Sequence, residues 1–394
     1  MSEASVVIIG SGLAGYNVAR ELRKLDAQVP ITVISRDHAG FYSKPMLSNA
    51  LAGKKTAATL VMKAAEKMAA EINAQVLAHS TVRQIDTATQ TVTLANGDVV
   101  HYRDLVLATG ADPIRLPLEG DAASTVLSVN DLDDFALFAE ALDTAAGGQP
   151  ARKVAILGAG LIGCEFANDL LARDIEPTVI DLADRVLNRL LPPTASARLQ
   201  ARLEAAGARF RFGAGLQRVD RAADGMGLAL TLSDGSTLAA DLVLSAIGLR
   251  PRAALAAEAG IQVNRGIVVD RKLASSAPHV FALGDCAEVE GLNLPYVLPL
   301  MTQARALAAT LTGTPTAVTY PAMPVVVKTP ALPTVICPPP AGAPGNWLVN
   351  ETEDGLEARF TDASDPERLL GFVLQGKAVS QRQALASQAP GLLS

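Results

Sequence analysis

The stretch "VAILGAGLIGCEFAND", residues 154–169, decides the fold. It reads as an apolar strand, a glycine-rich turn and a helix. Gly158, Gly160 and Gly163 stand at the spacing that suits a pyrophosphate. The first glycine allows the tight turn and the second lets a phosphate reach the backbone. The third lets the helix pack on the strand, so that its N-terminal N–H groups face the anion. One such motif is weak evidence. The chain, however, opens with "VVIIGSGLAGYNVARELRK" (6–24), the same unit built on Gly10, Gly12 and Gly15.

A second pair of segments confirms an internal repeat. "VTLANGDVVHYRDLVLATG" (92–110) matches "LTLSDGSTLAADLVLSAIG" (230–248). Each reads as a strand, an Asn-Gly or Asp-Gly hairpin turn, a strand, then a buried apolar strand ending in glycine. Gly97 and Gly110 recur as Gly235 and Gly248 at a single offset. Two related nucleotide-binding modules follow from this, not one. Linkers fit the division: "GADPIRLP" (110–117), "AAGGQPARK" (145–153) and "GLRPRAAL" (248–255). Beyond "VFALGDCAEV" (280–289) an apolar helix is expected around 299–311. After Gly313 the composition turns to proline and valine, as in "PVVVKTPALPTVICPPP" (324–340). This predicts a small α+β tail, strand-rich at first, with edge-like or broken early strands.

Bulk properties narrow the function. The 394 residues suffice for two or three domains. Apolar residues make up 49% and charged residues 19%, against general disorder. A net charge of −6 argues against a general nucleic-acid binder. No apolar run reaches the roughly 18 residues of a membrane helix. Residues 1–4 are short and polar, so no signal peptide is expected. Cys164, Cys286 and Cys337 lie far apart without a CxxC, the usage of a reducing cytoplasm. The four histidines, 38, 79, 101 and 279, fall outside the motifs, and no metal constellation is read.

The strand following each glycine unit carries the next clue. "PTVID" ends at Asp181, whose carboxylate would accept from a ribose diol and repel a 2′-phosphate. NADH is therefore expected over NADPH, with Arg185 a surface or salt-bridge residue. "ITVIS" ends at Ser35-Arg36 with no acid; Asp37 is the nearest, and Ser35 could serve as a hydroxyl.

The ordered set "GSGLAG", "LVLATGADP", "GAGLIG", "LVLSAIGLRP" and "VFALGDCAEV" resembles the two-dinucleotide flavoprotein reductases of the glutathione-reductase superfamily. "YSKPMLS", "IGCEFANDL" and "GLNLPYVLPLM" resemble, more closely, the rubredoxin–NAD reductases of pseudomonads and their relatives, over the full length. The resemblance implies an α/β fold: two Rossmann-like FAD/NAD(P)-binding domains of the glutathione-reductase type and a small α+β C-terminal domain. An FAD-binding domain would comprise residues 1–112 and 247–315, an NADH-binding domain 113–246, and the tail 316–394. It further implies that FAD stays bound while NADH visits, with hydride passing to flavin N5 and single electrons leaving to rubredoxin. A Rieske-type ferredoxin or a flavorubredoxin is the alternative acceptor. An NADH-binding flavoprotein sensor is the reading from a different class.

Site residues follow from the same resemblance. FAD would be met by Gly10, Gly12, Leu13, Ala14, Gly15, Ser35, Arg36, Lys44, Val82, Gly110, Glu165, Asp285, Val297 and Lys328. NADH would be met by Gly158, Gly160, Gly163, Asp181 and Gly248. Where disulfide reductases of the superfamily carry a redox cysteine pair, this chain reads "FYSKPMLSNAL" (41–51), so electrons cannot leave through a disulfide. Lys44 and Glu165 are expected as an ion pair at the flavin edge. Pro299 would open a helix whose dipole faces the flavin. The cysteines are read as packing residues. A basic rim of Lys44 and Lys328, with Arg36, Lys54 and Lys55 outside it, would receive an acidic rubredoxin. The short tail suggests a monomer.

Overall fold

The computed structural model describes residues 5–145, 148–223 and 225–393. The first sheet is built around Ser5–Ile9, a strand buried along its whole length. It pairs in parallel with Ile31–Ile34 on one side and Val99–Leu107 on the other. Strands buried on both faces read as unbroken apolar runs, as "VVII" does. Gln75–Leu77 extends the sheet beyond Ile31–Ile34. Val280–Ala282, from far along the chain, joins Val99–Leu107 in parallel at the other edge. The chain therefore leaves the first sheet, builds a second and returns.

That second sheet has four parallel strands, in the order Arg209–Phe212, Glu176–Asp181, Lys153–Leu157 and Leu242–Ser245. Each sheet has its antiparallel meander. Thr91–Leu94 turns through Asn96-Gly97 into Val99–Leu107, and Leu228–Leu232 through Asp234-Gly235 into Thr237–Ala240. The two crossing points lie side by side, Ala111–Pro113 antiparallel to Leu249–Pro251.

The tail is a five-stranded antiparallel sheet, in the order Val325–Val327, Thr334–Cys337, Leu369–Gly376, Gly355–Asp362 and Gly345–Glu351. Val325–Val327 is a short edge strand, as its prolines require. The tail is strand-rich at first, as expected: among its described residues the five strands, the longer three coming later, precede the helical segments Lys377–Gln381 and Arg382–Ala386. Leu369–Gly376 is the buried middle strand, an apolar run that registers with neighbours on both sides. Its inner face shares a core with the second sheet: Val327, Ile336, Leu356 and Val373 pack in one cluster with Ile156 and Phe166. The late apolar helix is Val297–Leu311, starting two residues before Pro299. A first-turn proline costs nothing there, because its missing N–H had no helical partner.

Candidate active site

Both glycine turns divide their labour in the same way. A Cβ on Gly10 would lie 2.2 Å from the Ala108 carbonyl oxygen, and one on Gly15 1.9 Å from that of Gly10. In the second turn Gly158 and Gly163 are hemmed in likewise, by Ala246 and by Gly158 itself. These glycines are required by packing. Gly12 and Gly160 are different: a Cβ there would meet nothing within 4 Å. Each is the N-cap of its helix, Leu13–Leu25 or Leu161–Leu171. Neither helix start has a side-chain cap or a first-turn acid. Unsatisfied N–H groups thus face open space in which a side chain would stand in a phosphate's way. Leu13 and Ala14 supply the first of those groups in the first turn. The residues present fit two dinucleotide pyrophosphates.

At the second turn Asp181 sits where expected. Its carboxylate accepts from Ala159 N (2.5 Å) and Ala183 N (2.8 Å), which fixes it beside the turn. Arg185 is engaged with Asp184 at 2.8 Å. At the first turn Ser35 is buried and bonded to Ser11 Oγ (2.7 Å), and it donates to Asp37 Oδ1 (2.7 Å). Arg36, Asp37, His79, Thr81 and Asp131 line a cavity of about 560 Å³. The Arg36 guanidinium is 4.0 Å from Asp131. Val82 opens the strand beside Thr81. Sequence reasoning set His79 outside the site and did not name Thr81. Only the parallel pairing of Gln75–Leu77 with Ile31–Ile34 brings their loop here.

The expected Lys44–Glu165 pair is not formed. Lys44 Nζ instead faces Asp285 Oδ2 at 3.6 Å. Burial pulls the Lys44 ammonium below the usual lysine range, and Asp285 opposes this. Glu165, only 3% exposed, pairs with Lys328. Its carboxylate also accepts from Ser48 Oγ (2.6 Å) and from Lys328 N (3.0 Å). Lys328 Nζ further donates to Pro45 O and Ser48 Oγ, both at 2.8 Å. The reason is geometric. Lys44 opens the 3₁₀ turn Lys44–Asn49, while Ser48, one turn on, is the residue that meets Glu165. Lys328 arrives backbone first, so its ammonium falls on the same carboxylate.

The helix Leu161–Leu171 is consequently a hub. One turn beyond Glu165, Asp169 accepts from Leu51 N (2.9 Å) and Ala52 N (2.8 Å). Burial pushes its carboxyl up despite those bonds. Between them Asn168 accepts from Ala331 N at 3.0 Å. The motif "CEFAND" therefore clamps the 45–52 segment and the tail together. The inner basic rim is corrected with it, since Lys44 and Lys328 are both committed to carboxylates. Lys54 and Lys55 are exposed and form no ion pair among the described residues.

The remaining candidates gather around the crossing point and the GD turn. Gly110 O accepts from Arg252 N, and Gly248 O from Ile114 N. Arg252 Nε reaches Asp112 at 2.6 Å. Asp285 lies in the turn Gly284–Cys286. Val297 and Leu298 are 40% and 51% exposed at a helix start with neither a side-chain cap nor an acid. Gln303, which sequence reasoning missed, is buried. It accepts from Gly284 N (2.7 Å) and donates to Tyr320 Oη (2.7 Å), tying the GD turn to the tail. A lone glutamine in "LMTQARALAATL" was the available signal. All three cysteines are free and buried. Burial drives the Cys164 thiol to about 12 and Cys337 to about 11, and raises Cys286. Among the described residues no group of three or more His, Cys, Asp or Glu side chains could hold a metal.

Known proteins resemble this chain over nearly its whole length. Residues 4–309 match the family model "Pyridine nucleotide-disulphide oxidoreductase", and residues 317–389 match "Rubredoxin binding C-terminal domain". A rubredoxin-NAD(+) reductase of Alcanivorax borkumensis is 46% identical over 98% of this chain and 99% of its own. A nitric oxide reductase FlRd-NAD(+) reductase of Aeromonas salmonicida is 41% identical over 99% and 98%. Among solved structures, a covalent putidaredoxin reductase–putidaredoxin complex matches with a TM-score of 0.86 and 28% identity. That match covers 99% of this chain and 94% of the other. The chain belongs to the pyridine nucleotide-disulphide oxidoreductase family and carries a rubredoxin-binding C-terminal domain behind its two dinucleotide modules.

Proposed function

We propose that this chain oxidises NADH through bound FAD and passes the electrons to a rubredoxin, as a monomer in a reducing cytoplasm. FAD would be held by residues 1–112 and 247–315, NADH by 113–246, and the acceptor received at 316–394. The flavin, when bound, accepts a hydride and releases electrons singly.

The chain's own residues bind, orient and tune. Gly10–Gly15 and Gly158–Gly163 offer helix N-termini to the two pyrophosphates. Asp181 favours the unphosphorylated ribose of NADH. Lys44, partly desolvated and facing Asp285, supplies positive charge beside the flavin site. Glu165 and Lys328 hold the 45–52 segment, and with it Lys44, against the second module. Val297 and Leu298 present an uncapped helix start to the same region. Buried thiols with raised pKa values take no part.

The observation that carries this reading is the position of Lys328. It belongs to the segment matching a rubredoxin-binding domain, yet its side chain lies between Glu165 of the NADH module and the Pro45 carbonyl. These contacts support a reading in which the acceptor-side domain borders the redox site. A flavorubredoxin is the second reading, favoured by the Aeromonas relative. Turnover with an artificial one-electron acceptor separates enzyme from sensor. Many NADH oxidised per flavin supports the reductase; a single turnover followed by arrest supports the sensor.

A further inference from the structure

The turn that carries Asp285 is held at both ends. Val280–Ala282 pairs with the first sheet, and Leu283 N extends that ladder by donating to Leu107 O (3.1 Å). The next amide, that of Gly284, donates not to a strand but to Gln303 Oε1 (2.7 Å). Gly284 itself has little freedom. Its φ is +78°, and a Cβ there would lie 2.8 Å from that of Ala14 in the first glycine unit. At the exit Asn293 Nδ2 donates to Asp285 O (3.0 Å) and Ala287 O (2.8 Å). Between these two anchors the Asp285 carboxylate faces Lys44 Nζ.

Gln303 is the one polar side chain on the buried face of Val297–Leu311. A buried amide is costly unless both its ends are bonded. Its Nε2 donates to Tyr320 Oη (2.7 Å). Tyr320 is 1% exposed, and burial raises its phenol above the ordinary range, so the hydroxyl stays neutral. The Tyr320 backbone is pinned by a separate clasp. Tyr320 N donates to Leu393 O (2.7 Å) and Leu392 N to Tyr320 O (2.7 Å), across an antiparallel bridge. Leu392 and Leu393 pack on the core of the first sheet, together with Val318. Contacts thus run unbroken from residues 392–393 through Tyr320 and Gln303 to the GD turn. We propose that Gln303 and Tyr320 are positioning residues for the cofactor-binding turn at Asp285, and that the 392–393 clasp sets their place. The inference rests on Asp285's serving the flavin site.

The test uses full-length protein stripped of flavin. Amide hydrogen exchange is followed in the peptide spanning Gly284, and FAD affinity by flavin fluorescence. Gln303→Met leaves Gly284 N without an acceptor. Exchange there should rise about tenfold or more over wild type, and FAD should bind about tenfold more weakly. Gln303→Glu, kept protonated by burial, offers the same acceptor and donor, and should bring both readouts back to within about threefold of wild type. Tyr320→Phe and Leu392→Pro, which deletes one bond of the clasp, should each shift both readouts the same way by about threefold. In the Gln303→Met background Tyr320→Phe should add less than about twofold, because it acts through the amide. Unchanged exchange at Gly284 in Gln303→Met overturns the proposal. So does faster exchange with FAD affinity as in wild type, which would make the contact one of packing alone. A Gln303→Glu protein no better than Gln303→Met, or a Tyr320→Phe effect as large without Gln303 as with it, refutes the relay. An inert Leu392→Pro refutes the clasp. Should Gln303→Met not fold, Tyr320→Phe still decides: no change in either readout overturns the proposal. Failure of wild type to bind FAD would instead remove the flavin reading and the inference with it, an outcome told apart because the exchange comparison needs no flavin.

Discussion

Replacing Lys328 by methionine removes an ammonium from a carboxylate that is only 3% exposed. Breaking a buried pair by deleting one partner typically costs about 3–5 kcal/mol, because the other charge is left uncompensated. Here the loss is partial. Glu165 keeps Ser48 Oγ at 2.6 Å and the backbone N–H of residue 328 at 3.0 Å. The Lys328 side chain is itself 26% exposed, so water reaches the site. A cost of about 2–3 kcal/mol is therefore expected. Glu165→Gln should cost about as much, by stranding Lys328 against Pro45 O and Ser48 Oγ. In the double variant neither charge remains, and the two losses should fall short of additivity by at least about 1 kcal/mol. Trp347, the single tryptophan, lies on the tail strand Gly345–Glu351, so its fluorescence follows that sheet during urea unfolding. Lys44→Met, at the expected but unformed pair, should show no coupling to Glu165→Gln. Strict additivity of Lys328→Met and Glu165→Gln, or coupling to Lys44 instead, refutes the assignment of the pair.

Other outcomes follow from the same geometry. NADH should exceed NADPH by about 10²-fold in kcat/KM, because Asp181 loses ribose bonds and meets a phosphate; steady-state constants within a few-fold would remove that role. Native protein should resist iodoacetamide at pH 8, since burial holds the thiols neutral and out of reach; rapid labelling of any cysteine in flavin-loaded protein contradicts this. Asp37 is more acidic folded than unfolded, so its stabilisation is full above the unfolded value and is lost as pH falls through the lower, folded one. The stability gap between wild type and Asp37→Asn should therefore narrow on acidification below about pH 4, and a gap constant with pH denies the shift. Reversing Lys54 and Lys55 to glutamate should slow reduction of an acidic acceptor, most at low salt, and leave reduction by NADH unchanged; an effect independent of salt argues against docking there.

The parts of the molecule legible in sequence are those governed by local rules. Glycine spacing, the Asn96-Gly97 and Asp234-Gly235 turns and the apolar runs each dictate geometry within a few residues. Their repetition told two modules from one. The Lys44–Glu165 expectation failed because it rested on both residues' lying in motifs of the family, and motif membership does not say which side chains meet. Lys328 is distant in sequence from Glu165 and reaches it only because the tail shares a core with the second sheet. Asp169 and Asn168 were hidden for the same reason, since their partners are backbone N–H groups of remote segments. Such partners leave no trace in side-chain pattern.

The most direct measurement of the central claim is anaerobic stopped-flow mixing of NADH-reduced, FAD-loaded protein with either oxidised rubredoxin or an oxidised [2Fe–2S] ferredoxin. Reoxidation of the flavin absorbance should keep pace with bleaching of the rubredoxin iron band, in a concentration-dependent phase at least tenfold faster than with the ferredoxin at equal concentration. A ferredoxin reduced as fast as rubredoxin, or a reduced flavin that persists in the presence of rubredoxin, would contradict the assignment of the acceptor.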